Sequence, residues 1–378
     1  MRIVADENMP LVDALFAPIG EVVRLPGRQI TAADVRDADA LLVRSVTRVT
    51  ADLLAGSRVR FVGTATIGTD HIDLAALQAR GIVVASAPGC NARAVAEYVL
   101  TCLALLAAEQ GWQPQARSVG VVGLGNVGRQ VAQLLQVAGF RVRGCDPFME
   151  ASPVPGVELV TLDELIDSCD ILSLHTPLTR TGPHPTFHAM TTARLERLHA
   201  GQILLNAGRG EVIDNRALLA RLEMPDAPVV VLDVWEGEPV VMPDLLARVR
   251  LGSPHVAGYS QEGKWRGTSM VHAAFCRFAG ITPAVSLGEL ELPRGPVLDC
   301  PPADTLIGLL AGLTSRLCDV GRDDAALRAS LAEPSPALAF DRLRRDYPPR
   351  FEFASCTITG LQRPEWQAVL VALGFHPG

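Results

Sequence analysis

Short apolar runs set the rhythm of the chain. Arg2–Ala5, Ala40–Val43, Arg60–Gly63 and Ile82–Ala85 read as buried strands. Pro10–Phe16 and Leu74–Arg80 carry helical spacing between them. Such alternation predicts a parallel sheet with helices on both faces. From Asn91 to Gln110 the pattern becomes one long helix rich in Ala, Leu and Val, broken by Gly111 and Pro114. Ser118–Val122 opens a second series, continued by strand candidates Arg141–Cys145, Ile171–Leu174, Gln202–Asn206, Val229–Val234 and Arg250–Leu251. The stretch 281–302 carries five prolines with little periodicity and reads as a linker. Beyond it, helical patterns at Leu306–Leu317 and Pro364–Leu373 flank a strand pattern at Arg350–Thr359. The chain is therefore expected to be α/β, with two units in tandem and a third, small one.

Composition narrows this picture. The 378 residues are too many for one ordinary core. With 48% hydrophobic and 20% charged residues, the chain suits a soluble enzyme. A formal net charge of −7 gives no reason to expect nucleic acid or an anionic membrane as partner. The start, Met1 to Glu7, reads as a strand and not as a signal peptide, and the greasiest stretch, Tyr98–Ala108, is too short to span a bilayer. The eight cysteines are scattered, without a C-x-x-C or a Cys/His cluster. Reduced thiols, a cytoplasmic location and no metal are the expectations. Lys264 is the only lysine, so every other basic side chain is arginine.

A cofactor motif lies at the start of the second unit. Gly123, Gly125 and Gly128 give the spacing G-x-G-x-x-G between the strand pattern Ser118–Val122 and an amphipathic helix Val127–Val137. Alone the spacing is weak; the strand–loop–helix context makes it a dinucleotide fingerprint. Gly123 permits the turn, Gly125 lets a pyrophosphate approach, and Gly128 lets helix and strand pack. The helix start, with Asn126 and Val127, offers N–H groups to phosphates. Asp146 ends the next strand and would accept hydrogen bonds from the ribose hydroxyls, which favours NAD over NADP. Its bland alternative is a turn cap before Pro147.

Three further strand ends carry chemistry. They are Leu205-Asn-Ala-Gly-Arg-Gly210, Leu232-Asp-Val-Trp-Glu-Gly-Glu-Pro239 and Ser253-Pro-His-Val-Ala-Gly-Tyr259. Oxidising a 2-hydroxy acid needs a base, a cation for the carboxylate and a group that orients the base. His255, Arg209 and Glu238 are the candidates. One segment alone would not convince, since a His after Ser-Pro is usually a turn residue.

In this order, Arg209, Glu238 and His255 behind Gly123–Gly128 resemble the D-2-hydroxyacid dehydrogenase family. The resemblance implies two doubly wound parallel-sheet domains, a flavodoxin-like substrate domain and a Rossmann NAD domain, plus a small C-terminal α/β dimerisation domain. The boundaries would be 1–97 completed by 258–285, then 98–257, then 286–378. It also implies that Thr176, Ala207, Asp233 and Gly258 meet the cofactor, and Ser45, Thr66 and Tyr259 the substrate. Asp6-Glu-Asn-Met-Pro10, Val43-Arg-Ser-Val-Thr47, Gly63-Thr-Ala-Thr-Ile-Gly-Thr-Asp-His71 and Glu262-Gly-Lys-Trp-Arg-Gly-Thr268 are similar to one branch of the family. So is Phe340-Asp-Arg-Leu-Arg-Arg-Asp-Tyr347. That branch oxidises a short phosphorylated 2-hydroxy acid and dimerises through its tail. Arg44 and Lys264 become candidates for the phosphate, and the tail is expected to build a homodimer interface, not the active site. Two rivals are a sibling enzyme acting on an acid such as phosphoglycerate, and a non-catalytic NAD-sensing dimeric scaffold.

Overall fold

The structure is a computed structural model describing residues 1–378. The chain forms two compact units, Met1–Asn91 with Ser260–Pro293, and Ala92–Tyr259 with Arg294–Gly378. The chain crosses between them at 91/92, 259/260 and 293/294. From Arg294 onward the tail clusters with the unit that carries the glycine fingerprint.

The first unit holds β1 (Arg2–Asp6), β2 (Glu21–Leu25), β3 (Ala40–Val43), β4 (Phe61–Thr64) and β5 (Val83–Ala85) in the order β2-β1-β3-β4-β5, all parallel. Leu41 and Val43 enter one apolar cluster, Ala40 and Leu42 the other. Successive strand side chains point to opposite faces, so a strand covered on both faces must be apolar throughout. Helix Gln261–Ala279 returns onto this sheet, where Phe275 meets Phe61 edge-on at 5.2 Å. The edge strand β2 lacks an apolar run because none of its residues is fully buried, and it escapes a pattern search. The strand order reverses between β1 and β3. Their carboxyl ends carry Glu7–Asn8 and Arg44–Ser45 to the kind of crevice where open α/β sheets bind ligands.

The second unit holds β6 (Ser118–Val122), β7 (Arg141–Cys145), β8 (Glu158–Leu159), β9 (Ile171–Leu174), β10 (Ile203–Asn206), β11 (Val229–Leu232) and β12 (Leu251–Gly252). They form one parallel sheet, β12-β11-β10-β9-β6-β7-β8, with its reversal between β6 and β9. The long helix Ala92–Gln110 is buried along most of its length. It packs against helix Asn126–Val137 and against Leu306–Thr314 of the tail. The tail helix thus finds apolar cover within its own chain. A third parallel sheet joins β13 (Val297–Asp299), β14 (Thr357–Thr359) and β15 (His376–Pro377). The strand expected over Arg350–Thr359 is reduced to β14, since Phe353–Ser355 forms a single 3₁₀ turn. Helices Val320–Ser330 and Pro336–Arg345 are additional; charged residues interrupt their apolar stripes in the sequence.

Candidate active site

The fingerprint glycines do three different jobs. Gly123 has φ +85°, and a Cβ there would stand 3.0 Å from the His175 carbonyl. A Cβ on Gly128 would lie 1.8 Å from the Gly123 carbonyl, so helix and strand touch through backbone. A Cβ on Gly125 would meet nothing within 4 Å. That open approach leads to the start of helix Asn126–Val137, whose first N–H groups suit a pyrophosphate. Across the reversal, the Thr176 hydroxyl and His175 Nδ1 are buried without hydrogen-bond partners, which fits polar contacts to a bound dinucleotide. Burial pushes His175 down to about 3, so the ring is neutral. Asp146 accepts from Leu124 N (3.0 Å) and Phe148 N (3.2 Å), one carboxylate oxygen each. It therefore caps its turn as well as facing the glycine loop.

The chemical loops are tied from below by Asp233, at the end of β11. Its buried carboxylate accepts from Ser253 Oγ (2.6 Å), Val256 N (2.8 Å) and Ala257 N (3.1 Å), and its carbonyl accepts from His255 N (2.7 Å). His255 is held in the left-handed region, φ +57°, which a non-glycine residue adopts only under such constraint. Its Nδ1 lies 2.8 Å from Glu238 Oε2, while Glu238 Oε1 accepts from Trp235 N at 2.8 Å. Burial pushes the Glu238 carboxyl up, but His255, Arg344 and the Trp235 N–H more than offset it, so Glu238 stays charged. With Nδ1 engaged, Nε2 is the ring atom available for proton transfer. Arg209 follows β10, where Asn206 holds the turn by donating to the Arg209 carbonyl (2.9 Å) and accepting from Gly208 N (3.0 Å). Gly210 then packs under the Glu238 loop: a Cβ there would stand 2.1 Å from the Trp235 carbonyl carbon. Ala207 and Gly258 are half-buried on the same set of strand-end loops.

His188, Asp214 and Glu236 form a group of metal-ligand types. The imidazole gives Nε2 to Glu236 Oε1 at 2.7 Å and turns Nδ1 towards Asp214 Oδ2 at 3.7 Å. A ring wedged between two carboxylates in this way links the segment before Met190 to the loop that carries Glu238.

In the first unit, Arg44 and Ser45 follow β3. Arg44 reaches the Asn8 carbonyl (3.5 Å) across the sheet reversal. Thr66 follows β4, and its hydroxyl donates to Gly68 O (2.9 Å) and bonds Thr64 Oγ1 (2.6 Å). With that proton spent on Gly68, Thr64 donates to Thr66, and His71 Nε2 donates to Thr64 at 3.1 Å. Burial first, and then the nearby Arg44 cation, push the Lys264 ammonium down to about 8. The two candidate phosphate cations are thus electrostatic neighbours.

The tail is not remote from the chemical loops: Tyr347 stacks edge-on against Tyr259 at 5.7 Å, and the Arg344 guanidinium lies 5.8 Å from the centre of the Tyr259 ring. Buried Arg350 donates to the Ala257 carbonyl (3.0 Å) and to the Ala94 carbonyl. Nothing in residue spacing signals these contacts, because they join residues far apart in the chain; Arg350 and Ala94 are 256 positions apart.

The fingerprint, the histidine–carboxylate pair and the strand-end arginine together define an NAD-dependent dehydrogenase. The description "D-isomer specific 2-hydroxyacid dehydrogenase, NAD binding domain" matches residues 101–257. A "Domain of unknown function (DUF3410)" matches residues 305–374. Among solved structures, the TT0316 protein from Thermus thermophilus is similar at 28% identity and TM-score 0.62, covering 75% of this chain and 99% of its own. A D-lactate dehydrogenase from Aquifex aeolicus, solved with NAD and lactic acid, shares the fold at 22% identity and TM-score 0.62, covering 74% and 96%. Curated relatives resolve the branch. An erythronate-4-phosphate dehydrogenase from Marinobacter nauticus is 52% identical over 95% of this chain and 94% of its own. Another, from Azotobacter vinelandii, is 48% identical over 100% of both. The chain belongs to the erythronate-4-phosphate dehydrogenase family.

Proposed function

We propose that this protein oxidises 4-phospho-D-erythronate at C2 to 3-hydroxy-2-oxo-4-phosphooxybutanoate, in the biosynthesis of pyridoxal phosphate. The observation that carries the chemistry is the 2.8 Å pairing of His255 Nδ1 with a charged Glu238, behind an NAD fingerprint. His255 Nε2 takes the C2 hydroxyl proton, and Glu238 stabilises the imidazolium that forms. Arg209 holds the substrate carboxylate with a planar pair of donors. NAD, when bound, supplies the hydride acceptor. Gly123, Gly125, Asn126, Val127 and Gly128 receive its pyrophosphate and Asp146 its ribose; Thr176, Ala207, Asp233 and Gly258 line its path. Asp233 contributes by fixing the His255 loop, since its carboxylate is occupied there. Ser45, Thr66 and Tyr259 contact the substrate, and Arg44 and Lys264 its phosphate.

The protein is proposed to act as a cytoplasmic homodimer. Eight free cysteines, all buried, suit a reducing compartment, and no helix is long and apolar enough to cross a membrane. Val297, Leu338 and Val371 expose large apolar surface on the tail, where a second subunit would cover them.

The test is turnover of 4-phospho-D-erythronate against 3-phosphoglycerate, with NAD and with a 2-oxo acid to reoxidise bound cofactor. A preference of ~100-fold or more in kcat/KM for the former is expected. A preference for 3-phosphoglycerate would replace this reading with the sibling enzyme. No turnover of either would leave an NAD-binding scaffold.

A further inference from the structure

The phosphorylated substrate is strongly anionic, and the chemical loops of the second unit offer it one proposed cation, Arg209. A second guanidinium stands beside those loops. Arg344 lies on helix Pro336–Arg345 of the tail. Its Cζ is 5.8 Å from the centre of the Tyr259 ring and 6.0 Å from that of Phe340. Tyr259 is only four residues beyond His255, and Tyr347 meets its ring edge-on at 5.7 Å. Tyr347 is itself anchored, donating to Asp323 Oδ2 at 2.8 Å. The half-buried Arg344 is therefore packed among aromatic rings and does not swing in solvent. Burial works against its charge, but Tyr259, Glu238 and Asp341 more than offset this and hold it above the usual arginine range. A fixed, permanently charged fork beside a tyrosine hydroxyl is suited to a phosphate.

We infer that Arg344, delivered by the C-terminal segment, binds the substrate phosphate together with the Tyr259 hydroxyl. The tail thus reads the substrate as well as contributing to the fold. This rests on the proposed substrate. Turnover by the unaltered enzyme tests that reading, whereas the following variants test Arg344 alone.

Arg344→Met keeps an apolar stem for the aromatic packing and removes the charge; Arg344→Lys keeps a charge without the fork. The readout is the ratio of kcat/KM for 4-phospho-D-erythronate to that for D-erythronate, with NAD affinity measured alongside. Arg344→Met is expected to lower this ratio about 10- to 100-fold, chiefly through KM for the phosphorylated acid. Arg344→Lys is expected to recover part of it. Inorganic phosphate should also bind the NAD-loaded enzyme more weakly in the Met variant, as read by calorimetry. An unchanged ratio overturns the inference. So does an equal loss on both substrates with a shifted pH profile of kcat, which would mean that Arg344 acts through Glu238. Loss of NAD affinity in both variants would assign the residue to the fold and overturn it as well.

Discussion

His255 and Ser45 both sit on loops beyond parallel strands, but the two residues differ in exposure. The His255 loop is gripped by the Asp233 carboxylate and carbonyl, and by Arg350 on the Ala257 carbonyl. Tyr98 reaches Ser253 Oγ at 2.8 Å, and Trp235 Nε1 donates to the Ser253 carbonyl at 3.0 Å. In the first unit Ser45 is exposed and Arg44 half-buried. Under the proposed roles, the difference in exposure follows from the two tasks. Proton transfer fails when a base moves by an ångström, so its loop must be over-determined. Recognition of a phosphate by charge falls off more gently with distance and tolerates a more exposed mounting.

The sharpest way to break this contrast is Asp233→Ala. It leaves Val256 N, Ala257 N and Ser253 Oγ without their buried acceptor, at a cost of about 3 kcal/mol or more. Thermal unfolding should fall by several degrees and turnover should nearly vanish. If the unfolding temperature holds, the loop is not organised by Asp233. Next in size, His255→Ala should keep NAD affinity while kcat drops ~10²–10⁴-fold. Near-normal turnover at neutral pH would remove His255 from the role of base.

The smallest effects belong to the first unit. Lys264→Ala and Arg44→Ala should raise KM for the phosphorylated acid by about one to two decades with little change in unfolding temperature. Lys264 also supplies a pH signature. Its ammonium, depressed to about 8, is charged below that pH and neutral above it. Contacts to the phosphate should weaken as pH rises through that value, and KM should climb. Lys264→Arg should flatten the climb, because arginine keeps its charge. A climb that survives the substitution would belong to another group. For stability the sign is opposite: burial penalises the charged lysine in the fold, and this cost is relieved as pH rises above about 8 towards the ordinary lysine range.

Much of the chemistry was legible locally. A glycine fingerprint works through backbone conformation and close approach, so its spacing survives as a string, and Gly123, Gly125 and Gly128 behave in the fold as their positions imply. Buried strands such as Ala40–Val43 and Ile171–Leu174 announce themselves because both faces must be apolar. Edge elements do not: β2 and β8 bury one side at most and show no apolar run. The segment and family resemblance nominated Glu238 for His255, but only the fold measured the bond between them. Gly210 needs to lack a side chain because the Trp235–Glu236 backbone lies against it, a packing that no local pattern records.

The sequence by itself determined the alternation that makes a parallel α/β protein, the cofactor loop and the strand-end residues. These depend on neighbours within a turn or two, or on a periodicity that burial imposes. Only the tertiary structure decided what Asp233 holds, that the tail's apolar helix is covered by Ala92–Gln110, and that Arg344 and Tyr347 stand beside Tyr259. Those contacts join residues far apart in the chain. Their geometry is set by how whole elements pack, and a linear pattern carries no record of that packing.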